Sequence, residues 1–492
     1  MSVAILALGL RILFVLKFNR VDGDSLIYGD IAKNWITHGI FGVSTAAGPV
    51  PTYIRLPGYP TFIAAIWAIV GVEHYTAVLV AQIFVDLATC FVVADLARRI
   101  VNSRAAKLGF VLTAVCPFLL TYVAAPLTET LAIFFAAMTV DAAVAGLKSL
   151  HDQTRSRFVF PWAICGMAIA AGILLRPDGG ILLAAMGLYL GYLLFAGQTA
   201  AITSVAGAPC ATTEPQSRNV ALHRQRVILA GLIVATLSIA PLFPWTLRNW
   251  HNFHRFQPLA PRYANAPDEP VNWGFERWTK TWMLDFVSVS EIYWNLPDQP
   301  IDIGVLPTRA FDSASERVRT EKIFSDYNDQ GRWTRQMDDA LAQIARERIQ
   351  RAPWRYYVWL PAGRIADMWF RPRTELLGIN DRWWEFRDDP SGAFWAALLG
   401  LTNALYIGFA LCGLWRVRQT RVVGMLILFV LLRSLFLGTL ENPEPRYTLE
   451  CYPVVVALAA AAFVRKASQH VNDTSTSAAN VPRTFAQELP SK

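Results

Sequence analysis

The chain has 492 residues, of which 54% are hydrophobic and only 17% charged, with a formal net charge of +8 and a mean hydropathy of +0.33. Soluble domains average about 25% charged residues, so this shortfall, with many long apolar runs, excludes an ordinary soluble enzyme and points to a polytopic helical membrane protein. In such a chain the basic excess belongs in cytoplasmic loops, and no basic stripe interleaved with aromatics is present, which sets nucleic acid aside as a partner.

In chain order, residues 2–18 are apolar except for Ser2, Arg11 and Lys17. No basic n-region precedes them and no A-x-A-like site follows, so a retained first span is expected rather than a cleaved signal peptide. Further spans are predicted at 76–97, 108–124, 127–147, 159–175, 179–195, 227–247, 393–415, 421–440 and 447–465, which makes ten with the first. The apolar piece 58–71 is too short to join them: its helix would reach about 21 Å against about 30 Å of hydrocarbon. Laying it along the outer interface puts every basic loop on the cytoplasmic side: 98–107, Lys148 with Arg155 and Arg157, Arg218 to Arg226, Arg416 to Arg421, and Arg465-Lys466. The positive-inside rule therefore places both termini in the cytoplasm. It leaves 20–75, 125–129, 176–179, 248–392 and 441–446 outside.

The predicted organisation is an N-terminal transmembrane module over 1–247, with its first outer loop at 20–75 and a flexible cytoplasmic loop at 196–226. An extracytoplasmic or interfacial segment covers 248–392, C-terminal transmembrane helices cover 393–466, and a disordered cytoplasmic tail covers 467–492. Within the outer segment, Met337, Leu341 and Ile344 share one face of an amphipathic helix over 333–350, which Pro353 breaks. The six cysteines are scattered through apolar runs and a linker and form no disulfide framework.

Charged groups from distant positions fall on the predicted outer side. Asp22 and Asp24 flank Gly23 just past the first span, with Tyr28 a turn later; an Asp/Gly turn is the plain alternative to a functional carboxylate. Glu129 opens a span, where the helix dipole alone would favour an acid. Arg176 and Asp178 bracket Pro177 in a turn, and Arg248 sits where a span leaves the membrane, an ordinary place for an anchor. Arg433 lies within an apolar run, which makes it a functional candidate. Glu444, Arg446 and Tyr447 open the last span. A lipid phosphate needs persistent charged donors, which arginine supplies in a planar fork. His251 and His254 have helical metal-ligand spacing without an evident third ligand, and no metal set is apparent. Asp86 reads as an interhelical hydrogen-bonding group.

These pieces resemble the bacterial members of the GT-C glycosyltransferase superfamily. The likeness is to the dolichyl-phosphate-mannose–protein mannosyltransferase-like and aminoarabinose-transferase-like group, which includes lipopolysaccharide galacturonosyltransferase-like proteins. The matching residues are Asp24-x-x-x-Tyr28, Arg55-Leu56-Pro57-Gly58-Tyr59-Pro60, Pro126 with Glu129, Leu175-Arg176-Pro177-Asp178, Pro244-Trp245-x-x-Arg248-Asn249 and Glu444-x-Arg446-Tyr447. The resemblance implies an all-α GT-C-like bundle of about ten spans with juxtamembrane helices in the first outer loop. It implies an inverting transfer of a sugar from a polyprenyl phosphate to a lipid, protein or polysaccharide acceptor. Asp24 would be the acid facing the acceptor hydroxyl, with Asp22 as the alternative register and Glu129 as a second acid. Arg248, Arg446 and Arg433 would hold the donor phosphate; Tyr28, Arg55, Tyr59, Arg176, Asp178, Glu444 and Tyr447 are further site candidates. Relatives differ in metal dependence, so a divalent metal stays open and no other cofactor is implied. The rival functions are a polar-lipid flippase or transporter, and an oligosaccharide ligase or polymerase of another membrane fold.

Overall fold

The computed structural model describes the chain apart from residues 1, 22, 151–153, 206–213, 267–268 and 465–492. Asp22, the tail 467–492 and the middle of the loop 196–226 therefore lie outside the described residues. Helices α1 (Ser2–Phe18), α2 (Asp24–His38) and α3 (Gly58–Val70) come first, with a two-stranded hairpin, β1 (Gly42–Thr45) and β2 (Gly48–Pro51), between α2 and α3. The bundle continues through α4 (Tyr75–Ile100), α5 (Ser103–Ala114), α6 (Pro117–Val123), α7 (Glu129–Ser149), α8 (Arg155–Leu175), α9 (Gly180–Val205), α10 (Glu214–Ile239) and α11 (Leu242–Phe253). A cap follows, built on α12 (Trp273–Lys280), α13 (Phe286–Glu291), α14 (Ala314–Gln330), α15 (Arg335–Arg351) and α16 (Leu360–Phe370). Helices α17 (Pro390–Val417), α18 (Arg421–Gly438) and α19 (Tyr452–Ala462) then complete the bundle.

Among the described residues, seven helices are long and apolar enough to cross a membrane, or eight if the bent pair α5–α6 is one span. Of the ten apolar segments expected, α1 and the segment at 447–465 form shorter helices than these. Pro117 leaves the amide of α6's first turn without a donor, and the chain bends by 53° between α5 and α6. Helix α1 has 17 residues and carries Arg11 and Lys17. The run 447–465 begins as a 3-10 turn, Pro445–Cys451, and becomes an 11-residue helix whose residues are all buried. That segment is wrapped by neighbouring helices, so it does not need the length of a lipid-facing span. The hairpin is the one departure from an all-α bundle among the described residues.

Helix α3, with 13 residues, is about 20 Å long and falls short of a span. It packs on α2, and Gly58 at its start lies so close to α8 that an added Cβ would sit 2.6 Å from the Leu174 carbonyl oxygen. Only glycine allows that approach, which brings the first loop against the Arg176 turn.

Inside the bundle, Asp86 accepts from Arg11 Nε at 2.8 Å, and Arg11 also donates to the carbonyls of Ala7 and Ala114, both at 2.9 Å. Both side chains are buried. The pair thus ties α1 to α4 and α5, as expected of an interhelical polar contact. Asp86→Leu alone should cost about 3–5 kcal/mol by stranding the Arg11 charge, whereas Arg11→Leu/Asp86→Leu should recover most of it. Melting of the three purified variants in detergent checks this; equal losses in the single and double variants would refute the pairing argument.

The cap has its own core: Phe275, Trp278, Trp282, Phe324, Leu341 and Ile344 are buried together. Met337, Leu341 and Ile344 do form one buried face of α15, which Thr334 caps by accepting from the Met337 amide. Buried Arg364 fastens the cap to the bundle, donating to the carbonyls of Lys280 (2.6 Å), Met283 (2.9 Å) and Gly438 (3.3 Å). At the opposite end of the bundle, Lys148 donates to the Arg99 carbonyl, Arg226 to that of Leu150 and Arg416 to that of Ala462. The basic loops therefore share one end, and the carboxylate-bearing turns meet at the other.

Candidate active site

At that other end lies a cavity of about 710 Å³ between the bundle and the cap. Its lining comes from α2, the 54–56 loop, the start of α7, the 175–178 turn, the 260–297 stretch of the cap and the 436–447 loop. Gly23 precedes α2 with φ of +51°, a left-handed conformation suited to glycine, and this turn delivers Asp24 to the first position of the helix. The helix N-terminus is a favourable place for a carboxylate.

The charges form an alternating chain. Arg55 donates to Asp24 Oδ1 at 2.6 Å, and Asp24 Oδ2 lies 3.9 Å from Arg446. Arg446 approaches Glu129 at 3.6 Å, and Glu129 accepts from Arg176 at 3.2 Å. Arg176 donates to Asp178 at 3.1 Å, and Asp178 accepts from Arg433 at 2.9 Å, which also reaches Glu450 at 2.8 Å. The Tyr447 ring stacks against both Arg176 and Arg446, with centroid distances of 4.9 and 5.5 Å. Arg446 Nε lies 2.6 Å from Glu444 Oε2, yet its N–H is not aimed there and forms no hydrogen bond. We read that contact as an ion pair without directional bonding, which is easier to exchange than the fork–carboxylate pairs around it.

Burial would raise the pKa of Asp24, but the charges of Arg55 and then Arg446 outweigh it and hold the carboxyl below its ordinary 3.8. It is ionised at neutral pH. Tyr28, beside it, is pushed up to about 12 by burial and then by the Asp24 charge, so it remains a neutral phenol that can donate.

The sequence candidates divide into two groups. Asp24, Tyr28, Arg55, Glu129, Arg176, Asp178, Glu444, Arg446 and Tyr447 all line the cavity. Arg248, Arg433 and Tyr59 do not. Arg248 donates to the carbonyls of Thr52 and Phe41, both at 2.6 Å, and sits among the rings of Phe41, Trp245 and Phe253. It pins the first loop to α11, and its fork is filled by protein. Arg433 is fully buried behind Asp178 and Glu450 and donates to the Tyr447 carbonyl at 2.9 Å, so it supports the cavity floor. Tyr59 is buried and donates to Gln82 at 2.6 Å. Of the three arginines expected to hold the donor phosphate, only Arg446 lines the cavity; Arg248 and Arg433 stand outside its lining.

Lining groups not singled out from the sequence are Arg262, Tyr263, Glu276 and Tyr293 from the 260–297 stretch and Glu441 from the 436–447 loop; Glu450, outside the lining and paired with Arg433, was not singled out either. Glu450 was hidden in what reads as a plain span; its signal would have been Pro445 and Pro453 bracketing a short polar run. The cap residues carry no motif, and only the fold brings them to the cavity.

No group of three or more His, Cys, Asp or Glu among the described residues is arranged to hold a metal ion. Among the described residues the cavity carboxylates face arginines instead. His251 and His254 lie on and just past α11, away from the cavity lining.

Residues 51–208 match the family model described as dolichyl-phosphate-mannose-protein mannosyltransferase. This stretch, less than half of the chain, contains Arg55, Glu129, Arg176 and Asp178, and over it the GT-C resemblance read from the motifs is borne out. Similar solved structures include the Archaeoglobus fulgidus oligosaccharyltransferase with Zn and sulfate, at 14% identity and a TM-score of 0.48, covering 94% of this chain and 48% of that one. The archaeal oligosaccharyltransferase AglB from the same organism, in complex with an inhibitory peptide and a dolichol-phosphate, is similar at 12% identity and a TM-score of 0.47, covering 94% and 49%. ArnT from Cupriavidus metallidurans bound to undecaprenyl phosphate is similar at 12% identity and a TM-score of 0.37, covering 93% and 76%. The chain spans about half the length of the archaeal structures. No curated protein matches in sequence.

Proposed function

We propose that the protein is an integral-membrane inverting glycosyltransferase. It moves a sugar from a polyprenyl-phosphate donor to an acceptor hydroxyl on the extracytoplasmic side of a bacterial-type inner membrane. The observation that carries this reading is one cavity in which an ionised Asp24 stands beside the forks of Arg55, Arg446 and Arg176, supplied by four distant segments at the end of a membrane bundle. The mannosyltransferase family match over 51–208 supports the same chemistry.

In this scheme the polyprenyl chain lies along the bundle and its phosphate reaches Arg446 and Arg176, with Arg55 close by. These three replace Arg248 and Arg433 in the phosphate role. The acceptor oxygen forms a bond to the anomeric carbon while the bond from that carbon to the phosphate oxygen breaks. The bonding pair leaves with the phosphate, where arginine charge is worth most because negative charge is building there. The acceptor proton passes to the Asp24 carboxylate, and Glu129 positions Arg176 and Arg446. A lipid-linked donor needs no nucleotide at the site.

The transporter reading is less favoured because the cavity acids gather at one end of the bundle, and the intramembrane acid Asp86 is engaged by Arg11. The direct test is mass spectrometry of envelope lipids, glycans and proteins from a deletion strain. One glycoform should disappear and return with the wild-type gene. An envelope unchanged in all three fractions would overturn the proposal.

A further inference from the structure

The cavity is larger than a phosphate and one reacting carbon require, and its cap side is chemically unlike its floor. There Tyr263, Tyr293 and the half-exposed Trp294 alternate with Arg262, Glu276 and Glu441. Arg262 is held by both oxygens of Glu441, at 2.8 and 2.7 Å, and Lys280 also approaches Glu441 at 3.5 Å. Glu276 accepts from Tyr293 at 2.8 Å. We propose that this cap wall is a subsite for a neutral saccharide, so that the acceptor hydroxyl is carried on a glycan. The inference rests on the transferase reading above and names its acceptor class.

Three features favour a sugar over the other acceptor chemistries. Aromatic faces beside carboxyl, hydroxyl and amide groups match a pyranose, which has an apolar face and a rim of hydroxyls. A lipid phosphate would find the Arg262 fork already engaged by both oxygens of Glu441, at 2.8 and 2.7 Å. A peptide held by strand pairing needs an open sheet edge, and the hairpin β1–β2 is not part of the lining. Burial, with the nearby Glu441 charge, raises Glu276 to about 8 despite the Tyr293 hydrogen bond. At neutral pH it is therefore mostly protonated and can both donate to and accept from hydroxyls. The loop 440–447 runs from Glu441 on this wall to Arg446 on the floor, so a ring seated here lies within reach of the reacting end.

The test uses the full chain in lipid nanodiscs and ligand-observed saturation-transfer NMR. The probes are maltotetraose, mannotetraose and chitotetraose, their methyl monoglycosides, a threonine-containing peptide and inorganic phosphate. At least one tetrasaccharide should bind saturably and about 10-fold more tightly than its monoglycoside. Trp294→Ala and Glu276→Gln should each weaken it about 5-fold or more, with melting temperatures near wild type. Trp294 is half exposed, so its variant keeps the test valid if Glu276→Gln fails to fold. Binding of monoglycosides with exclusion of tetrasaccharides would assign the wall to the donor sugar and overturn the acceptor inference. Binding of peptide or phosphate alone, or no binding by any saccharide, would also overturn it. If tetrasaccharides bind but no lipid-linked sugar is transferred, the transferase reading fails and the subsite stands. If Asp24-dependent transfer ends on protein or on a lipid phosphate, the subsite fails and the transferase reading stands.

Discussion

Asp24→Asn is expected to lower kcat for sugar transfer by about 10²–10⁴-fold, the usual reach of a positioned proton acceptor. Abundance in the membrane should change little, and donor affinity should rise modestly, because the phosphate no longer competes with the Asp24 charge for Arg55 and Arg446. The substitution keeps the shape and one acceptor oxygen but removes the charge and the site for the acceptor's proton. Wild-type turnover by this variant would end the proposed mechanism. The geometry adds a second expectation, on pH. In the ligand-free arrangement Arg55 and Arg446 hold Asp24 below its ordinary 3.8, against the upward push of burial. A carboxylate held that low is a weak base. Phosphate binding at Arg446 and Arg55 would draw those charges away and make Asp24 more basic as the donor arrives. The acid limb of kcat/KM should therefore lie below the ordinary carboxylate range, and the limb of kcat should lie above that of kcat/KM. Coincident limbs would remove donor-linked activation from the scheme. The sign for stability follows the same logic. Because the folded pKa is depressed, the Asp24 contribution is present above the ordinary carboxylate value and is lost as pH falls through the lowered one.

What the sequence showed and what it hid divide along physical lines. Long apolar runs and basic loops are local signals, so α4, α7, α8, α9 and α18 and the shared end of Glu129, Arg176 and Arg446 were legible. The shortness of 58–71 was legible for the same reason, since length alone excludes α3 from spanning. Arg248 and Arg433 could not be ranked against Arg446, because an arginine at the end of a span or within one reads identically whether its fork meets a ligand or backbone carbonyls. In the fold their forks meet the Thr52, Phe41 and Tyr447 carbonyls. The unwinding at Pro445–Cys451 was hidden because an enclosed helix need not span, so the apolar count there did not measure a membrane crossing. The cap wall was hidden for a third reason. Glu276 and Tyr293 pair within the cap, but Glu441 is more than 140 residues further on and joins them only where the cap meets the bundle, which Arg364 fastens.

Arg446→Lys should reduce kcat/KM for the lipid-linked donor by about 10²-fold, near the lower end of what losing one transition-state charge contact removes. Lysine keeps the positive charge but not the planar fork, so the test separates bidentate recognition from bulk electrostatics. Arg446 is suited to this role because its Glu444 contact lacks a directed hydrogen bond and its distances to Glu129 and Asp24 are long, at 3.6 and 3.9 Å. Arg433→Lys supplies the contrast. Its guanidinium is buried among Asp178, Glu450 and the Tyr447 carbonyl, so that variant should lower the melting temperature more than it alters donor kinetics. Kinetic loss at Arg446 with stability loss at Arg433 would place the phosphate on the cavity side of the ion chain. An unchanged donor KM and kcat in Arg446→Lys would remove Arg446 from the phosphate site and leave Arg55 and Arg176 as the remaining forks that face the cavity floor.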